Sequence, residues 1–326
     1  KAVRSSAGVF DVSHMGLVEL TGSNSLDFLN RIVTSDVESM KIGRARYTLI
    51  CNEQGGVIDD TILYKFDEED FLLVPNASNT DQIMNWLETW KNKMELSVDI
   101  NLVTGEKSLI ALQGPRAEFI LSHLCPLDLS KMKPFNCEKS HIGNSPVIIC
   151  RTGYTGEDGF EIVALSDASM HLWKELIALG AIPCGLGSRD VLRLEAGLLL
   201  HGSDMDSATN PLEAGLERFV SWTKQCFIGM KALQSIKEKG LYRKIVGFKL
   251  NQRGVPRHGY RILDGQDQSV GIVTSGTYSQ NLEMGIGLGY IAESFSSVGT
   301  TIMIDIRGRN ALAEIVSTPF YKKQRK

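Results

Sequence analysis

The sequence predicts an α+β fold that gives way, after about residue 241, to a small all-β barrel or sandwich. Two patterns carry this reading. Up to Leu241, stretches with strand-like alternation are mixed with stretches whose apolar residues recur every three or four positions. Beyond it the chain breaks into short apolar runs at regular spacing, separated by Gly, Asp-Gly or Asn, as in small antiparallel β-structures. Length adds a third constraint: 326 residues exceed what one small core organises, so two or three domains are expected. The chain is therefore divided into 1–241 and 242–326. No internal repeat or low-complexity linker interrupts either part. The mixing of strands and helices in the first part argues for α+β rather than a doubly wound sheet.

In order, GLVEL (16–20) reads as a strand and SNSLDFLNRIV (23–33) as a helix with serine start signals. TLICNEQGGVIDDTILYKF (48–66) reads as two strands around a tight turn, and DFLLVPNAS (70–78) as a further strand. TDQIMNWLETWKNKM (80–94) is a helix opened by Thr-Asp. SLIALQGP (108–115) is a strand and PRAEFILSHL (115–124) a helix. SPVIICRTGYTGEDGFEIVAL (145–165) is a hairpin whose turn, TGEDG, places glycines where positive φ is needed. SDASMHLWKELIALG (166–180) is an amphipathic helix, and SRDVLRLEAGLLL (188–200) another with Ser188 as N-cap. The second part supplies KIVGFKL, GYRILD, SVGIVTSGTYS, IGLGYI, TTIMIDIRG and ALAEIVS as strands.

A formal net charge of −3 gives no electrostatic case for nucleic acid or a membrane surface as main partner. No apolar run approaches the ~20 residues that span a bilayer. The opening KAVRSSAGVFDVSH lacks the apolar core of a signal peptide. The sequence does not begin with Met, which leaves room for a preceding segment, a cleaved organelle-targeting piece included. The six cysteines form no C-x-x-C pair and lie in apolar surroundings, so they read as free buried thiols in a reducing compartment.

Chemistry concentrates in three stretches. In CNEQGGVIDDTILYKF (51–66) the alternation of a strand puts Val57, Asp59, Thr61 and Leu63 on one face. Ile58, Asp60, Ile62 and Tyr64 share the other, so Asp60 sits among bulky apolar groups. A carboxylate there needs hydrogen bonds or a cation, because unpaired burial costs several kcal/mol, on the order of ~2–7 for a polar group and more for a charge. Taken alone, the pair is accounted for by a solvated Asp59 and by Asp60 bound to a backbone group or an arginine. In RTGYTGEDGFEI (151–162) Glu161 is a carboxylate able to accept two hydrogen bonds from adjacent N–H and NH₂ donors of a pyrimidine-like ring, with Tyr154 as a stacking face. Alone, such a stretch is more often just a polar hairpin. GLGSRDVLRLEAGLLLHGSDMD (185–206) presents Arg189, suited to a ligand carboxylate or to a structural ion pair, and Asp190, suited to the first turn of a helix. It contains no nucleotide-binding glycine motif. His14 and His201 are isolated and read as structural, and no metal-ligating cluster stands out.

Read together, GVFDVSHMG (8–16), YTLICNEQGGVIDD (47–60), LQGP (112–115), RTGYTGEDGFE (151–161), GLGSRDVLRLEAGLLLHGSDMD (185–206), NPLEAG (210–215), VTSGTYS (273–279) and PFY (319–321) occur in an order that resembles the aminomethyltransferases, the T-proteins of the glycine cleavage system. The resemblance covers essentially the whole chain. It implies a three-domain cloverleaf, two interleaved α+β folate-binding domains and a C-terminal antiparallel β-barrel, around a tetrahydrofolate site. It implies transfer of a one-carbon unit from the lipoyl arm of the H-protein to tetrahydrofolate, with release of ammonia. By the same resemblance Asp60 is the catalytic carboxylate, Glu161 grips the pterin, Arg189 is a ligand-site arginine, and Tyr47 and Tyr154 line the pocket. Neither a metal nor a tightly bound redox cofactor is implied. The compartment implied is the bacterial cytoplasm, or the mitochondrial matrix in a eukaryote.

Two departures bear on this. The family's N-terminal segment, which contributes to the folate pocket, precedes residue 1. Lys224-Gln225-Cys226-Phe227-Ile228-Gly229 has Cys at a usually acidic position and is similar to a motif of folate-binding iron–sulfur maintenance factors. Such a factor, and a folate-dependent demethylase on the same scaffold, are the alternatives. The basic tail YKKQRK (321–326) is suited to a glutamylated folate tail or an acidic partner, or is simply solvated charge.

Overall fold

A computed structural model describes residues 1–323. The chain begins with α1 (Ala2–Ser5), β1 (Gly8–Asp11), β2 (Val18–Thr21), α2 (Ser25–Ile32), β3 (Arg44–Cys51), β4 (Val57–Asp67), β5 (Asp70–Val74), α3 (Thr80–Met94) and β6 (Asp99–Leu102). It continues with β7 (Lys107–Gln113), α4 (Ala117–Leu121), β8 (Cys137–Ile142), β9 (Ser145–Cys150), β10 (Gly159–Leu165), α5 (Ser166–Ala178), β11 (Ile182–Pro183), α6 (Leu186–Glu195) and α7 (Met230–Lys239). The last elements are β12 (Arg243–Leu250), β13 (Arg261–Leu263), β14 (Ser269–Ser279), β15 (Met284–Ala292), β16 (Thr301–Ile306) and β17 (Arg309–Val316).

These strands form three sheets. One has the order β11-β1-β7-β10-β9-β8, one the order β3-β4-β5-β2-β6, and β12-β15-β14-β13-β16-β17 close into a barrel. Pairing is antiparallel throughout the described residues except between β1 and β11. The expected α+β class and the C-terminal antiparallel barrel are both present. The first two sheets interleave: the chain lays down β1, leaves for the whole of the five-stranded sheet, and returns at β7. Reading along the sequence does not reveal this, because strands of two sheets have the same local pattern.

Each of these sheets has one helix-covered face. Phe28, Leu29 and Ile32 of α2, with Ile83 and Leu87 of α3, pack on Val18, Leu20, Leu63, Phe71 and Leu73. Each such buried side chain is worth about 1.5–3 kcal/mol. α4 and α5 cover Leu112, Phe160 and Ile162 of the six-stranded sheet through Ile120, Leu121, Leu172 and Leu176. The opposite faces meet in a shared core, where Phe10, Leu109, Ala111 and Val163 pack with Tyr64, Leu72 and Val74. Alternation therefore turns Asp60 and Ile62, which share a face with Tyr64, and Glu161, which shares a face with Val163, toward the space between the two sheets.

Several local expectations need correction. α6 begins at Leu186 with Gly185 as its N-cap, so Ser188 lies inside the helix, where its hydroxyl donates to the Gly185 carbonyl. Asp190 is past the first turn and pairs with Arg193 at 2.8 Å instead of with the helix dipole. All six cysteines are free, but Cys184 is half-buried and Cys226 is exposed. Of the basic tail, Tyr321 to Lys323 are described and residues 324–326 lie outside the described residues. No helix of the described residues is long and apolar enough to cross a membrane.

Candidate active site

The β3–β4 turn is built by Asn52, whose side-chain oxygen accepts from the Gln54 and Gly56 N–H groups at 3.1 and 2.8 Å. Gly55 has φ +86°, and a Cβ on Gly56 would sit 1.8 Å from the Ser207 carbonyl oxygen. This close approach brings the segment after α6 across the start of β4: Val57 N–H donates to Thr209 O at 2.8 Å. Register shifts between Ile50 and Cys51, where Ile50 faces Asp59 and Cys51 faces Val57, leaving Ile58 as the extra residue of a bulge. Next to it, Asp60 pairs with Leu49, and Tyr47, paired with Ile62, is two pairs further along on the same face.

Tyr47 donates its hydroxyl to Asp60 Oδ2 at 2.9 Å. Asn76, just after β5, reaches both carboxylates: its side-chain NH₂ lies 2.8 Å from Asp59 Oδ1 and 3.0 Å from Asp60 Oδ1, and its backbone N–H donates to Asp59 Oδ2 at 2.9 Å. Asn79 adds a donor to Asp59 Oδ1 at 2.7 Å. No arginine binds Asp60 among the described residues. The solvated Asp59 of the plain sequence reading is overturned, because Asp59 is 0% exposed while Asp60 is half-buried. Asn76 and Asn79, at the turn into α3, cover Asp59 on the face that α2 and α3 pack against further along β4.

Burial raises the proton affinity of both carboxyls. Three N–H donors on Asp59, against two donors on Asp60, oppose the effect of burial and favour placing the negative charge of the pair on Asp59. Burial first, and the Asp59 charge second, push Asp60 up to about 6, against the Tyr47 hydrogen bond, His201 and Asn76. The Tyr47 hydroxyl is in turn held protonated by burial and by Asp60. A carboxyl poised close to neutral pH can both hold and release a proton at working conditions.

Tyr154 lies near enough for the Asp60 charge to act on its hydroxyl, which donates to the Leu199 carbonyl. The Arg189 guanidinium covers one face of the Tyr154 ring, 4.8 Å from its centroid, and makes no ion pair among the described residues. Tyr47, Asp60, Tyr154 and Arg189 thus form one cluster. Glu161 stands apart from it on β10. Its Oε2 accepts from Thr152 at 2.5 Å and from Tyr64 at 3.3 Å, which leaves Oε1 for another donor. Tyr64 lies on the Asp60 face of β4 four residues on, roughly 13 Å along a strand rising about 3.3 Å per residue. By contrast, Arg193 and Glu195 are consumed by structure: Arg193 pairs with Asp204 at 2.7 Å, and Glu195 with Arg4 at 2.6 Å. A groove of about 640 Å³ opens beside Tyr47, and Lys41, Arg44, Arg46 and Arg218 outnumber Asp36 along it.

Residues 1–224 match the family described as the GCVT N-terminal domain, and residues 243–322 match the glycine cleavage T-protein C-terminal barrel domain. The chain belongs to the aminomethyltransferase family of the glycine cleavage system. The aminomethyltransferase of Bacillus subtilis is 44% identical over 99% of this chain and 90% of its own length. That of Thermoanaerobacter pseudethanolicus is 44% identical over 100% of this chain and 89% of its own. The crystal structure of the glycine cleavage system aminomethyltransferase T from Bartonella henselae superposes with a TM-score of 0.92 at 33% identity, over 99% of this chain and 88% of that one. The chain is an aminomethyltransferase, a transferase of one-carbon groups. The sequence motifs point at Asp60 and contain His201, which reads there as structural, but they do not reach Asn76 and Asn79, which hold the Asp59–Asp60 pair. The only local signal for these is a pair of asparagines three residues apart after Pro75, too common in loops to single out.

Proposed function

We propose that this aminomethyltransferase takes the one-carbon unit from the aminomethylated lipoyl arm of the H-protein and passes it to tetrahydrofolate between its two facing sheets. Two bonds of the donor carbon break, to sulfur and to the amine, and two bonds to folate nitrogens form. The two protons displaced from those nitrogens end on the sulfur and on the departing ammonia. Tetrahydrofolate, when bound, supplies the two N–H nitrogens that receive the carbon.

The residues suit that ligand. Among the described residues Glu161 keeps one oxygen unengaged for a ring N–H, and Arg189 has no protein anion, which leaves its cation for a carboxylate. Asp60 is assigned the central role: as an anion it stabilises the positive charge that grows on the carbon as sulfur departs, and as an acid it relays a proton. Tyr47 orients it. The rest of the rate comes from holding two reactants together. The cationic groove beside Tyr47 suits an acidic carrier protein. We further assign this reaction to residues 1–241 as two interleaved α+β subdomains, with 242–326 as the barrel domain.

The observation that carries the proposal is that Asp60 is a half-buried carboxyl on the inner sheet face, tuned to about 6. Its test is ammonia release from purified aminomethylated H-protein with tetrahydrofolate. Asp60→Asn should lower kcat by roughly 10²–10⁴-fold, the usual contribution of a positioned acid–base group. A variant within tenfold of wild type would remove Asp60 from the reaction centre.

A further inference from the structure

Asp59 has no accessible surface, so it cannot meet either substrate. Yet its surroundings are more elaborate than a structural carboxylate requires. Asn76 and Asn79 direct three N–H groups at its two oxygens. The Asn76 NH₂ has only two hydrogens but three acceptors within reach, Asp59 Oδ1, Asp60 Oδ1 and the Asp60 carbonyl at 2.9 Å. It is therefore shared between the two carboxyl groups. His201 closes the set from the segment crossing β4. Its Nε2 faces the Val57 carbonyl at 3.1 Å and so carries the proton, while Nδ1 accepts from Asn79 at 2.9 Å. That tautomer turns the second Asn79 hydrogen onto Asp59.

We propose that Asp59 is a positioning residue for the transfer reaction: a buried anion, locked by Asn76, Asn79 and His201, that controls through the shared Asn76 amide where the Asp60 carboxyl points and when it releases its proton. This rests on the reading of Asp60 as the reaction-centre group. The groups that act on Asp60 come from five segments: Tyr47 from β3, Asp59 from β4, Asn76 from the turn between β5 and α3, His201 from the crossing segment, and Tyr154 from the loop before β10. Of these, Asp59 is the one that favours the protonated form of Asp60, whereas the Tyr47 and Asn76 hydrogen bonds favour the anion. The burial of Asp60 and the charge of Asp59 act in the same direction. Without that charge, burial alone would oppose the Tyr47 and Asn76 hydrogen bonds, and Asp60 would ionise at lower pH.

The experiment follows the Asp60 carboxyl by ¹³C-aspartate NMR across pH 3 to 9, assigning its resonance by its loss in Asp60→Asn. In the wild-type protein it should titrate close to 6, and in Asp59→Asn or Asp59→Ser at least one pH unit lower. The acidic limb of the kcat/KM profile should move down by the same amount, which loss of packing alone would not do. Melting curves check that the variants fold. The wild-type titration does not depend on them: an Asp60 midpoint near 4 in the wild type overturns the proposal. So does an unmoved midpoint in either folded variant. An active Asp60→Asn enzyme would overturn the catalytic reading instead, a result the NMR titration distinguishes from failure of the Asp59 role.

Discussion

Asp60 is held at the expense of stability, and that expense depends on pH. Its proton affinity rises from the ordinary 3.8 to about 6 on folding. Two pH units correspond to about 3 kcal/mol, which we reduce to about 2 kcal/mol because Asp60 keeps some contact with solvent. For a carboxyl whose folded value is raised, the stabilising contribution is complete below the unfolded value and lost as pH climbs through the folded one. Below pH 4 both folded and unfolded chains carry the proton. Between 4 and 6 only the unfolded chain has released it, and above 6 both have. Asp60→Asn removes this dependence. It also forfeits the Asn76 hydrogen bond, at a pH-independent cost of about 1 kcal/mol. The variant should therefore be about 1 kcal/mol less stable than wild type at pH 4 and about 1 kcal/mol more stable at pH 8. Urea unfolding of both proteins at half-unit pH steps measures the difference. A difference that stays flat, or that falls as pH rises, would refute the assignment of a raised proton affinity to Asp60.

Other perturbations isolate single contacts. Tyr47→Phe deletes a donor that favours the Asp60 anion, worth about 1.5 kcal/mol, so the acidic limb of the kcat/KM profile should rise by about one pH unit. A limb that falls or stays put would count against the contact. Glu161→Gln should raise KM for tetrahydrofolate roughly 10- to 100-fold, the value of a charge-assisted hydrogen bond, with kcat changing much less. Steady-state kinetics with folate as the varied substrate decides this, and an unchanged KM would remove Glu161 from the folate site. Gly56→Ala pushes a methyl group to 1.8 Å from a backbone oxygen and should destabilise the protein by about 2–3 kcal/mol, seen as a lower urea midpoint. A midpoint equal to wild type would mean that the segment crossing β4 is free to move away.

How much of this could be read beforehand depended on whether the cause was local. α3 runs from Thr80 to Met94 as its apolar spacing requires, and the β3–β4 hairpin and the barrel strands follow from alternation and turn residues. Asp60 was legible through its face on β4 and through the family motifs. The burial of Asp59 is not legible in the sequence, because alternation tells which face a side chain takes, not what covers that face. Here the cover is Asn76 and Asn79, with His201 behind Asn79 although it lies 144 residues from the Val57 it binds. The same distance hid Asn79, 122 residues from His201. Helix starts were misplaced where a glycine did the work of a capping side chain, as at Gly185.

The interleaving of the first two sheets also dictates an order of events on the ribosome. β1, residues 8–11, needs β7 at residues 107–113 on one side and β11 at residues 182–183 on the other. During synthesis it waits with both edges unpaired for about a hundred residues, while the whole five-stranded sheet emerges and can close. Arg4 waits longer still for Glu157 and Glu195. Unpaired edges and an unmatched cation are where a nascent chain is exposed to misassociation and to chaperones. The barrel strands, contiguous from Arg243 to Val316, impose no such delay. A ribosome stalled before Pro183 would therefore carry a finished five-stranded sheet and an unfinished six-stranded one.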